Sequence, residues 1–230
     1  TALLAEAIEQ DLRSPDRAEL EPEEDPAVVG ATWGLIACRV PPSSRHGLGI
    51  RVAVLDTGFD LGHPDFVGRQ IVSQTFVGQP VQDLHSHGTH CAGIIAGDGA
   101  TGEVDLEGNL FGLGVAPGAE IITQRIFDGA GGYQPPPSFE RLTRDAKRAG
   151  ADIGSNSWGD DTQGRYDLSA MEFDALVRDA DAVTLGDQPY FLEFSAGNAG
   201  PGPQTVGTPA VAKNVIAVGA SQSDRTEFLL

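Results

Sequence analysis

"IRVAVLD", residues 50–56, runs without a polar break from Val52 to Leu55 and ends in Asp56, with Thr57 and Gly58 directly behind it. A short apolar, β-branched run closed by turn residues is the signature of a strand buried on both faces, as in parallel sheets. Four more stretches read as strands: "AEIITQRIF" (119–127), "ADIGSNSWG" (151–159), "YFLEFSAGN" (190–198) and "NVIAVGA" (214–220). Helical patterns lie between them. "HGTHCAGIIAG" (87–97), with Ser86 as N-cap, has small or apolar residues on nearly every side and predicts a helix deep in the domain, where Gly93 and Gly97 permit close packing. "SFERLTRDAKRAG" (138–150) places Phe139, Leu142, Ala146 and Ala149 on one face, with Gly150 as its stop. A looser helical pattern runs from about Tyr166 to Ala182. Strands alternating with helices predict an α/β fold, a mostly parallel sheet with helices on both faces.

Composition narrows the function classes. With 15 basic against 33 acidic side chains the net charge is −18, a field that repels phosphate backbones and anionic membranes. Nucleic acid and membrane surfaces are therefore not expected partners. Residues 1–28 concentrate acid and are expected to form an N-terminal arm or leader remnant, with one domain over residues 29–230. No apolar stretch is long enough to span a bilayer, and the first residues lack the pattern of a secretion signal. Two cysteines, Cys38 and Cys91, are too few for a disulfide framework.

In open parallel sheets, ligands sit at the carboxyl ends of the strands. The polar residues found there are Asp56, then Ser157-Trp158-Gly159, then Asn198. A buried carboxylate at Asp56 could hold the imidazole of His87 in the tautomer a general base needs. The amide of Asn198 could donate to an oxygen that turns negative during acyl transfer. Each residue also has a plainer reading, as a turn, cap or packed side chain. His85, His87 and His90 could instead supply three nitrogens to a zinc ion, although no His-Glu-x-x-His pattern accompanies them.

Six ordered stretches carry a resemblance: "VAVLDTGFDLGHPDF", "HGTHCAGIIAG", "GLGVAPGAEI", "NSWG", "SAGN" and "KNVIAVGA". Together they resemble the subtilisin-like serine proteases, and the stretches "QRIFDGAGGY" and "SNSWG" are most similar to the larger bacterial and fungal branch of that family. The resemblance implies a secreted or extracellular endopeptidase acting on peptide or protein substrates through an Asp-His-Ser triad. It implies Asp56 as triad aspartate, His87 as general base and Asn198 as oxyanion donor. Ser157, Trp158 and Gly159, with Ser195, Ala196 and Gly197, match the two segments flanking the pocket for the residue before the cleaved bond. Gly131 and Gly132 match the edge strand that pairs with extended substrate. No cofactor is implied for the chemistry. Asp65 matches a calcium-ligating position in many relatives, but "GDGATGEVDLEGN" departs from the partner loop, so structural calcium is an unsupported possibility.

The family's serine sits in a Gly-Thr-Ser-Met-Ala-type turn opening a long helix, and no such turn occurs here. Ser195, Ser221 and Ser223 lack that strand-turn-helix context. "GTPAVA" (207–212) has the spacing but puts Pro209 at the nucleophile's place. The expectation is a C-terminally incomplete subtilisin-like domain, lacking its last third and inactive alone, with the missing segment as a complementing chain. The alternatives are a peptide-binding pseudoprotease and a zinc hydrolase using the three histidines.

Overall fold

The computed structural model describes residues 31–41, 43–106, 108–133 and 138–221. The acidic arm at 1–28 and Ser223 lie outside the described residues. Six strands form one sheet: β1 (Arg51–Asp56), β2 (Val72–Thr75), β3 (Glu120–Arg125), β4 (Ile153–Asn156), β5 (Phe191–Ser195) and β6 (Ile216–Val218). They lie side by side in the order β2-β3-β1-β4-β5-β6, and every neighbouring pair is parallel. Among the described residues four α-helices accompany them: α1 (Trp33–Ala37), α2 (His87–Ala96), α3 (Phe139–Arg148) and α4 (Leu168–Leu176). The α/β parallel-sheet reading of the sequence is what the structure shows.

Alternation along β1 sends its side chains into two cores. Ala53 and Leu55 join Leu142 and Ala146 of α3 and Phe173 and Leu176 of α4 on one side. Val52 and Val54 meet Ala92 and Ala96 of α2 on the other. Two elements escaped the sequence reading. β2, "VSQT", has no apolar alternation and is mostly exposed at the sheet edge, and the five-residue α1 is too short to show a helical period. The fourth helix is shorter than its pattern, ending at Leu176 rather than near Ala182. Beyond it, Asp179 accepts the N–H of Asp181, and Asp181 those of Val183 and Thr184, local bonds that compete with helical ones.

That Asp181 carboxylate also accepts from Arg148 Nε at 2.7 Å, tying the end of α3 to the turn after α4. The bonds from Arg148, and then from Thr184, outweigh burial and hold the Asp181 carboxyl down at about 2. A carboxyl lowered on folding stabilises the native state above its unfolded pKa, and that contribution disappears as pH falls through the folded one. Between about pH 4 and pH 2 the wild type should therefore lose melting temperature faster than Asp181→Asn, as followed by circular dichroism. Parallel acid limbs for the two proteins would refute this.

The sheet is covered unevenly. Val52 and Val54 face α2, and their register partners Ile153 and Ser155 share that face, as do Phe191, Glu193 and Ser195 on β5 and Ile216 and Val218 on β6. Over β1 and β3 this face is packed by α2. Over β5 and β6 it is open, with Phe191 62%, Ile216 48% and Val218 50% exposed. The opposite face of β5, by contrast, buries Leu192 and Phe194 almost completely. For the same reason α2 is not buried all round: Gly88, Ala92 and Ala96 are, while His87, His90 and Ile94 reach solvent.

Candidate active site

Three adjacent parallel strands end at the same level. Because Val54 pairs with Ser155 and Asn156 with Phe194, Asp56, Ser157 and Ser195 stand in one row at the carboxyl ends of β1, β4 and β5. Neighbouring strands lie about 4.8 Å apart, so this row brings together residues roughly 140 positions distant in sequence.

Asp56 is 2% exposed. Its Oδ1 accepts from the backbone N–H of Thr57 at 2.7 Å and stands 2.7 Å from Nδ1 of His87. That bond fixes the imidazole with its proton on Nδ1 and leaves Nε2 as the basic nitrogen. Asp56 Oδ2 is buried with no partner. The Cys91 thiol, one turn further along α2, lies 3.8 Å from His87 Nδ1. Burial first, with Asp56 adding to it against a bond to Ser157, pushes that thiol up to about 11, so it stays protonated at neutral pH.

What seats His87 is the start of α2. Ser86 occupies the N-cap position, but its φ of 75° is left-handed and its side chain caps nothing, contrary to the sequence expectation. Asp83 does this work instead. Its carboxylate accepts from the N–H groups of His85, Ser86 and Thr89 and from the Thr89 hydroxyl. Burial opposes its charge, yet these donors prevail and hold it below the usual carboxylate range. Thr57 completes the link, accepting from Gly88 N–H and donating to Asp83. Gly88 is required for the close approach, since a Cβ there would lie 2.3 Å from the carbonyl oxygen of Gly58 and 3.1 Å from Asp56 Cβ. Gly97 is likewise pressed against Gly112, whereas Gly93 meets nothing and contributes no close packing.

The three histidines do not converge. His85 and His87 have ring centroids 6.5 Å apart, His85 precedes the helix, and His90 is exposed. Among the described residues, the one set of three candidate ligands within reach of one another is Asp56, His87 and Cys91. The zinc set His85/His87/His90 is therefore not supported by the geometry, because the ligand atoms of these three side chains do not lie within reach of one another. Asp65 is 4% exposed and its Oδ1 has no partner, an oxygen suited to a hard cation. Among the described residues it belongs to no group of three candidate ligands within reach of one another, and Asp105, in the loop that departs from the family pattern, accepts from Asn109. These side chains do not make up a calcium site by themselves.

Beyond β4 and β5 opens a cavity of about 490 Å³ lined by Ser157, Trp158 and Gly159 on one side and Ser195, Gly197 and Asn198 on the other. Ala196 is not part of the lining; it anchors the segment through bonds to Val218 and Gly207. Gly131 and Gly132 form no edge strand. Gly131 has φ 79°, and Asp128 Oδ1 accepts the N–H groups of Ala130 and Gly132, so the chain turns back on itself there. Tyr133, just past this turn, is the residue that reaches the cavity, with its ring stacked on Trp158 at 5.9 Å. Ser221 is exposed beyond the edge strand β6.

Comparison with known proteins places this geometry. The family model for the subtilase family, peptidase S8, matches residues 47–228. Serine protease AprX of Bacillus subtilis is 34% identical over 188 residues, covering 78% of this chain and 40% of its own. An alkaline protease of Alkalihalobacillus alcalophilus is 31% identical over 232 residues, covering 95% of this chain and 54% of its own. The chain thus spans about half or less of the length of these curated relatives. Among solved structures, a point mutant of the protease domain of PatA superposes with a TM-score of 0.55 at 26% identity, over 78% of this chain and 60% of its own. The psychrophilic subtilisin-like protease Apa1 of a Pseudoalteromonas species shares the fold, with a TM-score of 0.53 at 23% identity over 73% and 35% of the two chains. No described helix is long and apolar enough to cross a membrane. A family match over most of the sequence, relatives above 30% identity and a shared parallel sheet agree: the chain belongs to the subtilase family of serine proteases.

Proposed function

We propose that this chain supplies the aspartate, the general base and an oxyanion donor of a secreted serine endopeptidase, in Asp56, His87 and Asn198. The observation that carries the reading is the 2.7 Å contact between His87 Nδ1 and a carboxylate that is 2% exposed. The attacking hydroxyl is proposed to come from an apolar segment outside these 230 residues. The open half of the sheet beside α2, with Phe191, Ile216 and Val218 in solvent, is the surface such a segment would cover.

The chemistry follows from the placement. A peptide lies across the cavity with its carbonyl over the strand ends. His87 Nε2 takes the hydroxyl proton as the oxygen attacks, and the imidazolium formed is stabilised by the ionised Asp56 beside it. Asn198 donates its side-chain N–H to the carbonyl oxygen as it becomes negative. His87 then returns the proton to the departing amine, and water releases the acyl group by the same steps in reverse order. No cofactor enters these steps. A calcium ion beside Asp65 would bear on stability alone.

A fluorophosphonate probe tests this. The chain alone should remain unlabelled, whereas the chain combined with a Gly-Thr-Ser-Met-Ala strand-turn-helix segment should be labelled on that serine, and less so with Asn198→Ala. Stoichiometric labelling of the chain alone would overturn the division of labour. If the chain binds peptides but no segment ever confers labelling, the cleft is that of a pseudoprotease.

A further inference from the structure

The cavity has a marked electrical asymmetry. Its lining includes Asp160 and Asp161 and no lysine, arginine or histidine. The two aspartates are not equivalent. Asp161 folds onto its own loop, where its Oδ1 accepts from the N–H of Gln163 at 2.9 Å. Asp160 is held through its backbone, which exchanges both hydrogen bonds with Thr208, another lining residue. Asp160 and Tyr133 line the same cavity. Burial above all, then the charges of Glu172 and Asp160, push the Tyr133 hydroxyl up to about 12.

Tyr133 Oη is itself buried without a hydrogen-bond partner. A phenol oxygen without a hydrogen-bond partner, two aspartates in the lining with no basic side chain among them, and a stacked Tyr133–Trp158 wall describe the complement of a planar cation. A guanidinium offers five N–H donors in one plane and can stack on the aromatic faces. A carboxylate in the same place would meet two negative neighbours and no cation.

Resting on the proposed endopeptidase cleft, we infer that the cavity takes a basic side chain, arginine before lysine, of an extended peptide, with Asp160 and Tyr133 as the residues that select it. Asp160 is exposed, so its contribution is that of a partly solvated ion pair, about fivefold in affinity, and it weakens with salt.

The test uses binding to the chain itself. Fluorescein-labelled acetyl-free peptides ending in Ala-Ala-Pro-Arg, Ala-Ala-Pro-citrulline or Ala-Ala-Pro-Glu are titrated by anisotropy at low and high salt. Citrulline keeps the shape of arginine and removes its charge. The arginine peptide should bind about fivefold more tightly than the citrulline peptide, and the glutamate peptide most weakly. Asp160→Asn should abolish the arginine advantage and Tyr133→Phe should reduce it. Equal binding of the arginine and citrulline peptides would overturn the basic preference while leaving the cleft intact. Loss of the advantage in Asp161→Asn alone would overturn the assignment to Asp160. If no peptide binds at any salt concentration, the cleft reading fails and this inference fails with it.

Discussion

Replacing His87 by alanine in the chain joined to a serine-bearing strand-turn-helix segment is expected to lower kcat for peptide hydrolysis by about 10⁶-fold, with little change in KM. That magnitude is the one established for subtilisin itself when its base is lost. The physical reason lies in the geometry. An alcohol is a poor nucleophile at neutral pH, and His87, held through Nδ1 by Asp56 at the end of the row formed by Asp56, Ser157 and Ser195, is the group proposed to take its proton on Nε2. Removing Asp56 should cost less, about 10⁴-fold, because the imidazole would remain but lose its fixed tautomer and its counter-charge. Active-site titration alongside steady-state rates distinguishes slow turnover from misfolding. A loss smaller than tenfold in His87→Ala would mean that proton transfer runs through another group.

The strands that build this row were legible because burial on both faces leaves a nearly continuous apolar run, as in Val52–Leu55, and because Asp56 and Asn198 stand where those runs stop. The histidine cluster was legible as chemistry but not as geometry. Only the helix start decides which imidazole meets the carboxylate, and that start is governed by Asp83, four residues upstream and bonded to three consecutive-turn amides. An aspartate just ahead of an apolar helix is a signal that could have been read, but Ser86 occupied the conventional capping place and drew the assignment. Tyr133 and Asp160 were hidden for a different reason. Their roles depend on a cavity formed by loops after three different strands, and no local period records such a meeting.

Arg125→Met is expected to destabilise the fold by about 3 kcal/mol, which for a chain of this size lowers the melting temperature by roughly 6–12 °C. Arg125 closes β3 and is 1% exposed, among the most deeply buried side chains described. Its charge is met by oxygens rather than by a carboxylate. Nε donates to the carbonyl of Phe127 at 3.0 Å, Nη1 to those of Pro80 and Gln82, and Nη2 to Gln79 Oε1 at 2.8 Å. Methionine keeps much of the volume and removes every donor, so the loss is electrostatic rather than a cavity. The carbonyls on the 79–82 loop are partly open to water, which holds the effect below that of a fully buried pair. This loop leads directly into Asp83, which seats α2 and with it His87. Freed from Arg125, it should release the amides of Ser86 and Thr89, and their hydrogen exchange should quicken ahead of that of β1. Arg125→Lys should recover only part of the stability, because one ammonium cannot reach all the oxygens that the planar guanidinium fork engages at once. A melting temperature within 2 °C of wild type for Arg125→Met, with unchanged exchange at Ser86 and Thr89, would show that the loop is held by its bonds to Phe59 instead, where Phe59 N–H donates to Val81 and Asp83 N–H to Phe59.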